Sequence, residues 1–301
     1  CIGKLDDESI YSKHNDYQGE PIDADLIVVD ELSMVDMFLM NYLLNCIYQG
    51  TKLILVGDVD QLPSVGPGSV LKDLIESEVI NTVKLDKIFR QAAKSKIILN
   101  AHRVNSGQAF IQKGDEDLEE DANEDFFFIK QNITEKILQE VISLSTGRLE
   151  KFGNYDFFRN IQVLTPTKKG PLGTKELNKA LQAVLNPNLE ELPEKTSGGV
   201  VYRIGDRIMQ IKNNYDITWE RERKTAQTTL STQFLKPGER TEIGTGVFNG
   251  EMGTILEIDE KEKVVKIQFD DEKIAWYEYS DLEQIEHSYA ITIHKAQRKR
   301  I

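Results

Sequence analysis

Four side chains in this sequence are placed to handle a phosphorylated ligand: Asp30, Glu31, Gln61 and Arg90. The run Leu26-Ile27-Val28-Val29 leads directly into Asp30-Glu31, and Leu53-Ile54-Leu55-Val56 leads into Gly57-Asp58-Val59-Asp60-Gln61. A carboxylate at the C-terminal end of a buried strand points into the crevice where α/β proteins bind ligands. Asp30 can hold Mg²⁺ through a water there, while Glu31 polarises an attacking water. A strand-terminal Asp-Glu can equally do no more than cap the helix that follows it. Gln61 is a neutral hydrogen-bonding group suited to detecting a γ-phosphate, on a loop stiffened by Pro63 and Pro67. Arg90, in Leu85-Asp86-Lys87-Ile88-Phe89-Arg90-Gln91, has the charge to stabilise a transferring phosphoryl group. The combined chemistry is hydrolysis of a nucleoside triphosphate, yet no Gly-Lys-Ser/Thr phosphate loop occurs in the chain. A second polar group lies in Tyr289-Ala290-Ile291-Thr292-Ile293-His294-Lys295-Ala296-Gln297, where the Thr292 hydroxyl and the His294 imidazole suit a sugar-phosphate backbone and Lys295 adds charge.

The elements that must position these groups follow from the apolar pattern. Two continuous aliphatic runs predict parallel strands covered on both faces, and Phe38, Leu39, Tyr42, Leu43 and Cys46 predict a helix between them. Helical spacing recurs over 68–75 and a further strand is expected at 82–85. A second α/β stretch begins near Ala93, with a helix around Ile97 to Val104, a strand at 126–129, a helix face Ile137, Leu138, Val141 and Ile142, and a strand at 161–164. Another helix carries Leu177, Ala180, Leu181, Val184 and Leu185. From 198 to 286 the period becomes two and glycines punctuate it, which predicts a small β-barrel with a hairpin tip at Asp259-Glu260-Lys261-Glu262. Trp276 and Tyr277 are assigned to its core or rim. The polar stretch 219–244 reads as a loop within it.

Composition narrows the class. With 301 residues, 40% hydrophobic and 29% charged, the chain has enough apolar surface for two or three cores. No apolar run approaches a membrane span and no basic-then-apolar leader opens the chain, so no membrane association and a cytoplasmic location are expected. Two cysteines with no metal-ligand spacing exclude a disulfide framework. The net charge of −13 opposes nucleic-acid binding at long range unless basic groups are gathered in a groove. Much of that charge sits in the acidic run 115–125, which reads as a solvated loop.

Taken in order, these blocks resemble the superfamily 1 DNA helicases, and within them the RecD-like family of 5′-to-3′ motors. "VVDELSMVD" resembles the family's Walker B block and "LILVGDVDQLPSVGPGSVLKDLI" its third motif. "KIFRQ" resembles its fourth and "YAITIHKAQ" the start of its fifth. Thr165-Pro166-Thr167-Lys168-Lys169-Gly170-Pro171-Leu172-Gly173-Thr174 resembles a segment of the second motor domain, and Val247-Phe248-Asn249-Gly250-Glu251-Met252-Gly253 the entry of the SH3-like barrel inserted there. The resemblance implies an α/β fold of two RecA-like P-loop NTPase-type domains, the first incomplete, with a small SH3-like β-barrel inserted in the second. Residues 1–92 would be the C-terminal part of the first motor domain and 93–197 the first part of the second. Residues 198–286 would be the barrel, and 287–301 the truncated return to the second motor domain.

The resemblance also implies ATP and Mg²⁺ as cofactors. Asp30 would serve Mg²⁺, Glu31 would activate water, Gln61 would sense the γ-phosphate and Arg90 would reach it from an interdomain cleft. Lys168 and Lys169, just before a predicted helix start, would bind DNA phosphate, and Thr292 and His294 would contact single-stranded DNA. The implied partners are single-stranded DNA, junctions of single- and double-stranded DNA, and DNA-repair or recombination proteins, with the chain a monomer. Without the Walker A loop and the last helicase motifs, the chain is expected to be an inactive central fragment of an ATP-dependent 5′-to-3′ DNA helicase. The rival expectations are a non-catalytic nucleic-acid-binding or scaffold remnant, or the helicase portion of a conjugative relaxase.

Overall fold

The computed structural model describes residues 21–85, 95–111, 125–188, 191–222 and 241–297. The chain divides into two compact units, 1–130 and 131–301.

In the first unit, strands β1 (Leu26–Val29) and β2 (Lys52–Leu55) pair in parallel, Val29 opposite Leu55. The helix Met37–Cys46 crosses between them and buries Met40, Leu43 and Cys46, one side chain per turn. Asp36 starts this helix by accepting a hydrogen bond from the Leu39 N–H at 2.8 Å, which satisfies one of the donors a helix start leaves open. Helix Val70–Glu76 follows β2. Helix Lys96–Asn105 begins at Ser95, whose hydroxyl donates to Asp125 at 2.6 Å.

Three sequence expectations fail in this unit. Leu26, Val28, Ile54 and Val56 alternate along β1 and β2 and remain 46–57% exposed, so the described residues cover one face of the strand pair only. Residues 82–85 and 126–129 form no strand. Both are apolar runs, but a strand also needs a neighbour to take its backbone hydrogen bonds, and no described residue pairs with them; Val83 and Leu85 are 87% and 94% exposed.

The second unit begins with helix Thr134–Ser143. Strand β3 (Val163–Thr165) is followed by helix Thr174–Leu185. Next come β4 (Glu194–Ser197), β5 (Val200–Arg203), β6 (Arg207–Gln210), β7 (Asn214–Glu222) and β8 (Thr241–Val247). The chain continues through β9 (Met252–Asp259), β10 (Val264–Phe269), β11 (Ile274–Glu278), β12 (Ile285–His287) and β13 (Ala290–Thr292). Strand β13 returns to pair in parallel with β3. Phe157, Leu177, Leu181 and Tyr289 pack together there, with Leu138 and Val141 against them; fully burying an aliphatic side chain of this size contributes about 1.5–3 kcal/mol.

Seven strands form one sheet in the order β12-β6-β9-β10-β11-β7-β8. These strands make up the expected small β-barrel, which is open among the described residues, where no pairing joins the outer strands β12 and β8. Register shifts in β10 at Lys266/Ile267 and in β7 between Asn214 and Thr218 are bulges of the kind that bend a sheet. The hairpin tip falls where the sequence places it: Asp259 accepts the N–H groups of Lys261 and Glu262 at 2.8 and 2.9 Å. Trp276 and Tyr277 separate by face. Tyr277 is fully buried and its hydroxyl donates to Gln210 Oε1, whereas Trp276 is 39% exposed beneath Lys266.

Candidate nucleotide and nucleic-acid sites

In each unit the candidate residues stand at the C-terminal ends of adjacent parallel strands, where backbone amides and side chains converge on a ligand. In the first, Asp30 follows β1 and the 57–61 loop follows β2, so the two arise side by side. The Leu32 N–H donates to the Val56 carbonyl at 2.9 Å and ties the two exits together. Glu31 is exposed and adopts left-handed backbone angles, φ 55° and ψ 42°. For a non-glycine residue that conformation costs about 1–2 kcal/mol, and Glu78, Asn154, Glu191, Lys263 and Glu272 also have positive φ, so the angle by itself does not single out Glu31. The next turn supports the Glu31 conformation, with the Met34 N–H donating to the Glu31 carbonyl at 3.0 Å. Asp30 Oδ1 accepts the Glu31 N–H at 2.9 Å.

Gln61 is exposed on a turn organised by Asp58, which accepts the Asp60 N–H at 2.9 Å and the Gln61 side-chain amide at 3.5 Å. Beyond it the loop folds against the residues after the acid pair. The Met37 N–H donates to the Pro67 carbonyl at 3.0 Å, and Gly66 lies so close to Asp36 that an added Cβ would fall 1.9 Å from its carboxylate. The two loops are thus one packed piece. Arg90 lies outside the described residues, as does most of the acidic run 115–125.

Asp30 offers hard oxygen ligands. No group of three or more His, Cys, Asp or Glu among the described residues could cage a metal ion. A single carboxylate fits Mg²⁺ bound mainly by nucleotide phosphates and water, which is how Mg²⁺ is usually held with a triphosphate.

In the second unit, Thr292 pairs with Thr165 across β13 and β3, and the 166–173 loop leaves from the same end. A small hollow there is lined by Lys168, Thr174, Thr292, Lys295, Glu286 and His287, with Met209, Ala290 and Ile291. Lys168 and Thr292, far apart in sequence, are brought together. Lys169 and His294 are exposed and do not line the hollow. Lys295 donates to Glu286 at 2.6 Å, so part of its charge is already answered and Lys168 carries more of the site's positive potential.

The loop holding Lys168 is tightly built. Thr165 Oγ1 donates to the Leu172 carbonyl at 2.7 Å, and the Thr174 N–H donates to the Thr167 carbonyl at 3.1 Å. Gly173 is buried against it, where a Cβ would stand 2.6 Å from the Lys169 carbonyl oxygen and 2.7 Å from that of Lys168. Backbone cannot give way as a side-chain tip can. Gly173→Ala is therefore expected to cost about 1–3 kcal/mol by overpacking, read as a lower midpoint of thermal unfolding. An unchanged midpoint would show that the loop has room to relax.

Two family models match parts of the chain. A family model described as an AAA domain matches residues 8–122, and one described as the ATP-dependent RecD-like DNA helicase SH3 domain matches 177–269. The ATP-dependent RecD2 DNA helicase of Deinococcus radiodurans is 31% identical over 283 residues, covering 92% of this chain and 32% of that protein. The chain is a homologue of the RecD-like helicases. The RecBCD enzyme subunit RecD of Mycolicibacterium smegmatis is 28% identical over 230 residues, covering 72% of this chain and 38% of that protein. The chain thus spans 32–38% of the length of these two curated relatives. Among solved structures, a Bacteroides Pif1 helicase in complex with ADP-AlF3 and ssDNA aligns with a TM-score of 0.43 at 14% identity, covering 91% of this chain and 62% of that one. No helix among the described residues is long and apolar enough to cross a membrane.

The RecD-like sequence blocks gave no notice of the most heavily hydrogen-bonded side chain described. Asp206 is 0% exposed. Its Oδ1 accepts from the Tyr289 hydroxyl and the Asn186 amide, both at 2.8 Å. Its Oδ2 accepts from Gln182 Nε2 and the Arg203 N–H, both at 2.7 Å, and lies 2.9 Å from His287 Nε2. Burial pushes this carboxyl up, but the hydrogen bond and charge of His287, with the Asn186 and Arg203 donors, outweigh it and hold Asp206 below its ordinary 3.8. Burial and the Asp206 charge raise the Tyr289 hydroxyl well above its ordinary value, so it stays a donor.

Proposed function

We propose that this chain is a central part of an ATP-dependent DNA helicase that moves 5′ to 3′ on single-stranded DNA and opens junctions with duplex. The observation that carries the reading is the 31% identity to the Deinococcus radiodurans RecD2 helicase across 92% of the chain. The acid pair after β1 and the Lys168–Thr292 hollow at the end of β3 and β13 support it, since each lies at the C-terminal end of a parallel strand pair.

In this reading residues 1–92 belong to a first RecA-like domain, 93–197 and 287–301 to a second, and 198–286 to an SH3-like insertion. Asp30 would hold Mg²⁺, which would supply charge neutralisation at the phosphates. Glu31 takes a proton from the attacking water, Gln61 hydrogen-bonds toward the γ-phosphate, and Arg90 answers the charge that develops as the phosphoryl group transfers. Lys168 and Thr292 grip the DNA backbone, joined by Lys169 and His294 from the exposed rim. Within these 301 residues there is no Gly-Lys-Ser/Thr loop to cradle the β- and γ-phosphates, so the chain by itself binds DNA without hydrolysing ATP. The RecBCD names among the relatives extend the proposal to repair or recombination proteins as partners.

The test for the hollow is Lys168→Gln. Affinity of the chain for an oligo(dT) strand is expected to fall several-fold, and the slope of log affinity against log salt to lose about 0.7, the value for one phosphate contact on a single strand. An unchanged slope would place the phosphate contact elsewhere.

A further inference from the structure

We infer that Asp206 is a positioning residue: it clamps the seven-stranded sheet to the chain segments on both sides of it and, through His287, fixes where Thr292 stands. Its donors come from three separate stretches. Gln182 and Asn186 end the helix before the sheet, Arg203 belongs to the turn that holds Asp206 itself, and His287 and Tyr289 flank the point where the chain leaves the sheet. No other described carboxylate joins these stretches.

The connection to the hollow is short. His287 both lines the hollow and sits in the β12–β6 ladder opposite Ile208. Tyr289 precedes β13, whose Thr292 is the residue aligned with Thr165. A second clamp acts beside the first: Asn178 donates to the His287 and Ala290 carbonyls and accepts the Ala290 N–H at 2.7 Å. Asn178 fixes the backbone between His287 and Ala290 to the helix. Asp206 adds a side-chain tie from that same segment to the β5–β6 turn, beside the backbone bond from the Ser288 N–H to the Arg207 carbonyl at 2.9 Å and the β12–β6 ladder, so it is one of the routes by which a shift of the sheet reaches β13. All five contacts are donated to it, so only an ionised, two-oxygen acceptor satisfies them together. The isosteric amide of Asp206→Asn would set N–H against N–H at one of the two positions.

Only the last step, from Thr292 to DNA, rests on the proposed phosphate hollow, so two readouts are needed. In the full 301-residue chain, Asp206→Asn is expected to speed backbone hydrogen exchange across 285–295 by roughly tenfold while 264–278, in β10 and β11 away from the Asp206 turn, is unaffected. Oligo(dT) affinity should fall at least threefold under conditions where circular dichroism is unchanged. His287→Gln, which keeps a donor near the Nε2 position, should exchange at the wild-type rate across 285–295, and His287→Leu should exchange as Asp206→Asn does; because His287 also lines the hollow, this pair is read by exchange alone, and it gives the same answer if Asp206→Asn does not fold. Acceleration spread evenly over the whole sheet, or none within 285–295, would overturn the positioning role. If exchange responds locally but neither Asp206→Asn nor Lys168→Gln changes DNA affinity, the clamp stands and the hollow is not the DNA site. If Lys168→Gln weakens binding while Asp206→Asn speeds exchange without weakening it, the link from the clamp to Thr292 is wrong.

Discussion

Asp206→Ala is expected to destabilise the unit 131–301 by on the order of 3–5 kcal/mol, because it leaves several buried donors without an acceptor in a place closed to water. For a unit of this size the midpoint of thermal unfolding should drop by roughly 10 °C. The effect has a pH signature. The folded-state carboxyl is held below its ordinary 3.8, so its contribution is fully present above that value and is lost as pH falls through the lower folded-state value. Wild type and variant should therefore differ most near neutrality and less in strong acid, by the charge-linked part of the effect. Urea unfolding at pH 7 and again below pH 3 measures both. A constant difference across that range would mean that Asp206 contributes by shape and not by charge.

The sequence made the ends of strands legible and the middle of the packing far less so. Asp30, Glu31 and Gln61 could be placed because an aliphatic run followed at once by acids has few physical readings, and β1 and β2 do end there. The helix Thr174–Leu185 was equally readable from its apolar spacing. Residues 82–85 and 126–129 were not, because hydrophobicity reports a wish for burial and says nothing of whether a neighbouring strand is at hand. Whether the small barrel closes was not legible for a related reason: alternation sets which face is buried, whereas the pairing of β12 and β8 depends on curvature set by bulges.

Asp206 was hidden for a different cause. In Ile204-Gly205-Asp206-Arg207 it has the look of a turn residue, and the turn is real, with the Asp206 N–H donating to the Arg203 carbonyl at 3.1 Å. Its partners lie far along the chain at Gln182, Asn186, His287 and Tyr289, and no local pattern announces them. The available signal was the pair His287 and Tyr289 inside an otherwise apolar stretch leading to β13, since buried polar side chains need partners. The hollow was half legible. Lys168 and Thr292 were nameable from their motifs, but that Lys295 would be engaged by Glu286, and that Lys169 and His294 would stand outside, required the fold.

The account centres on Glu31 as the group that activates water beside a nucleotide. Its place after β1 next to Asp30 and the glycine-tight packing of the Gln61 loop onto the same turn both bear on that claim. Removing a general base of this kind costs about 10²- to 10⁴-fold in rate, while the loss of one negative charge leaves nucleotide binding intact. The measurement is single-strand-stimulated ATP hydrolysis by a RecD-like protein that carries this chain together with a Gly-Lys-Ser/Thr loop, as wild type and as Glu31→Gln. A fall of at least a hundredfold in kcat with ATP still bound is the predicted result. A variant that hydrolyses ATP as fast as wild type would contradict it.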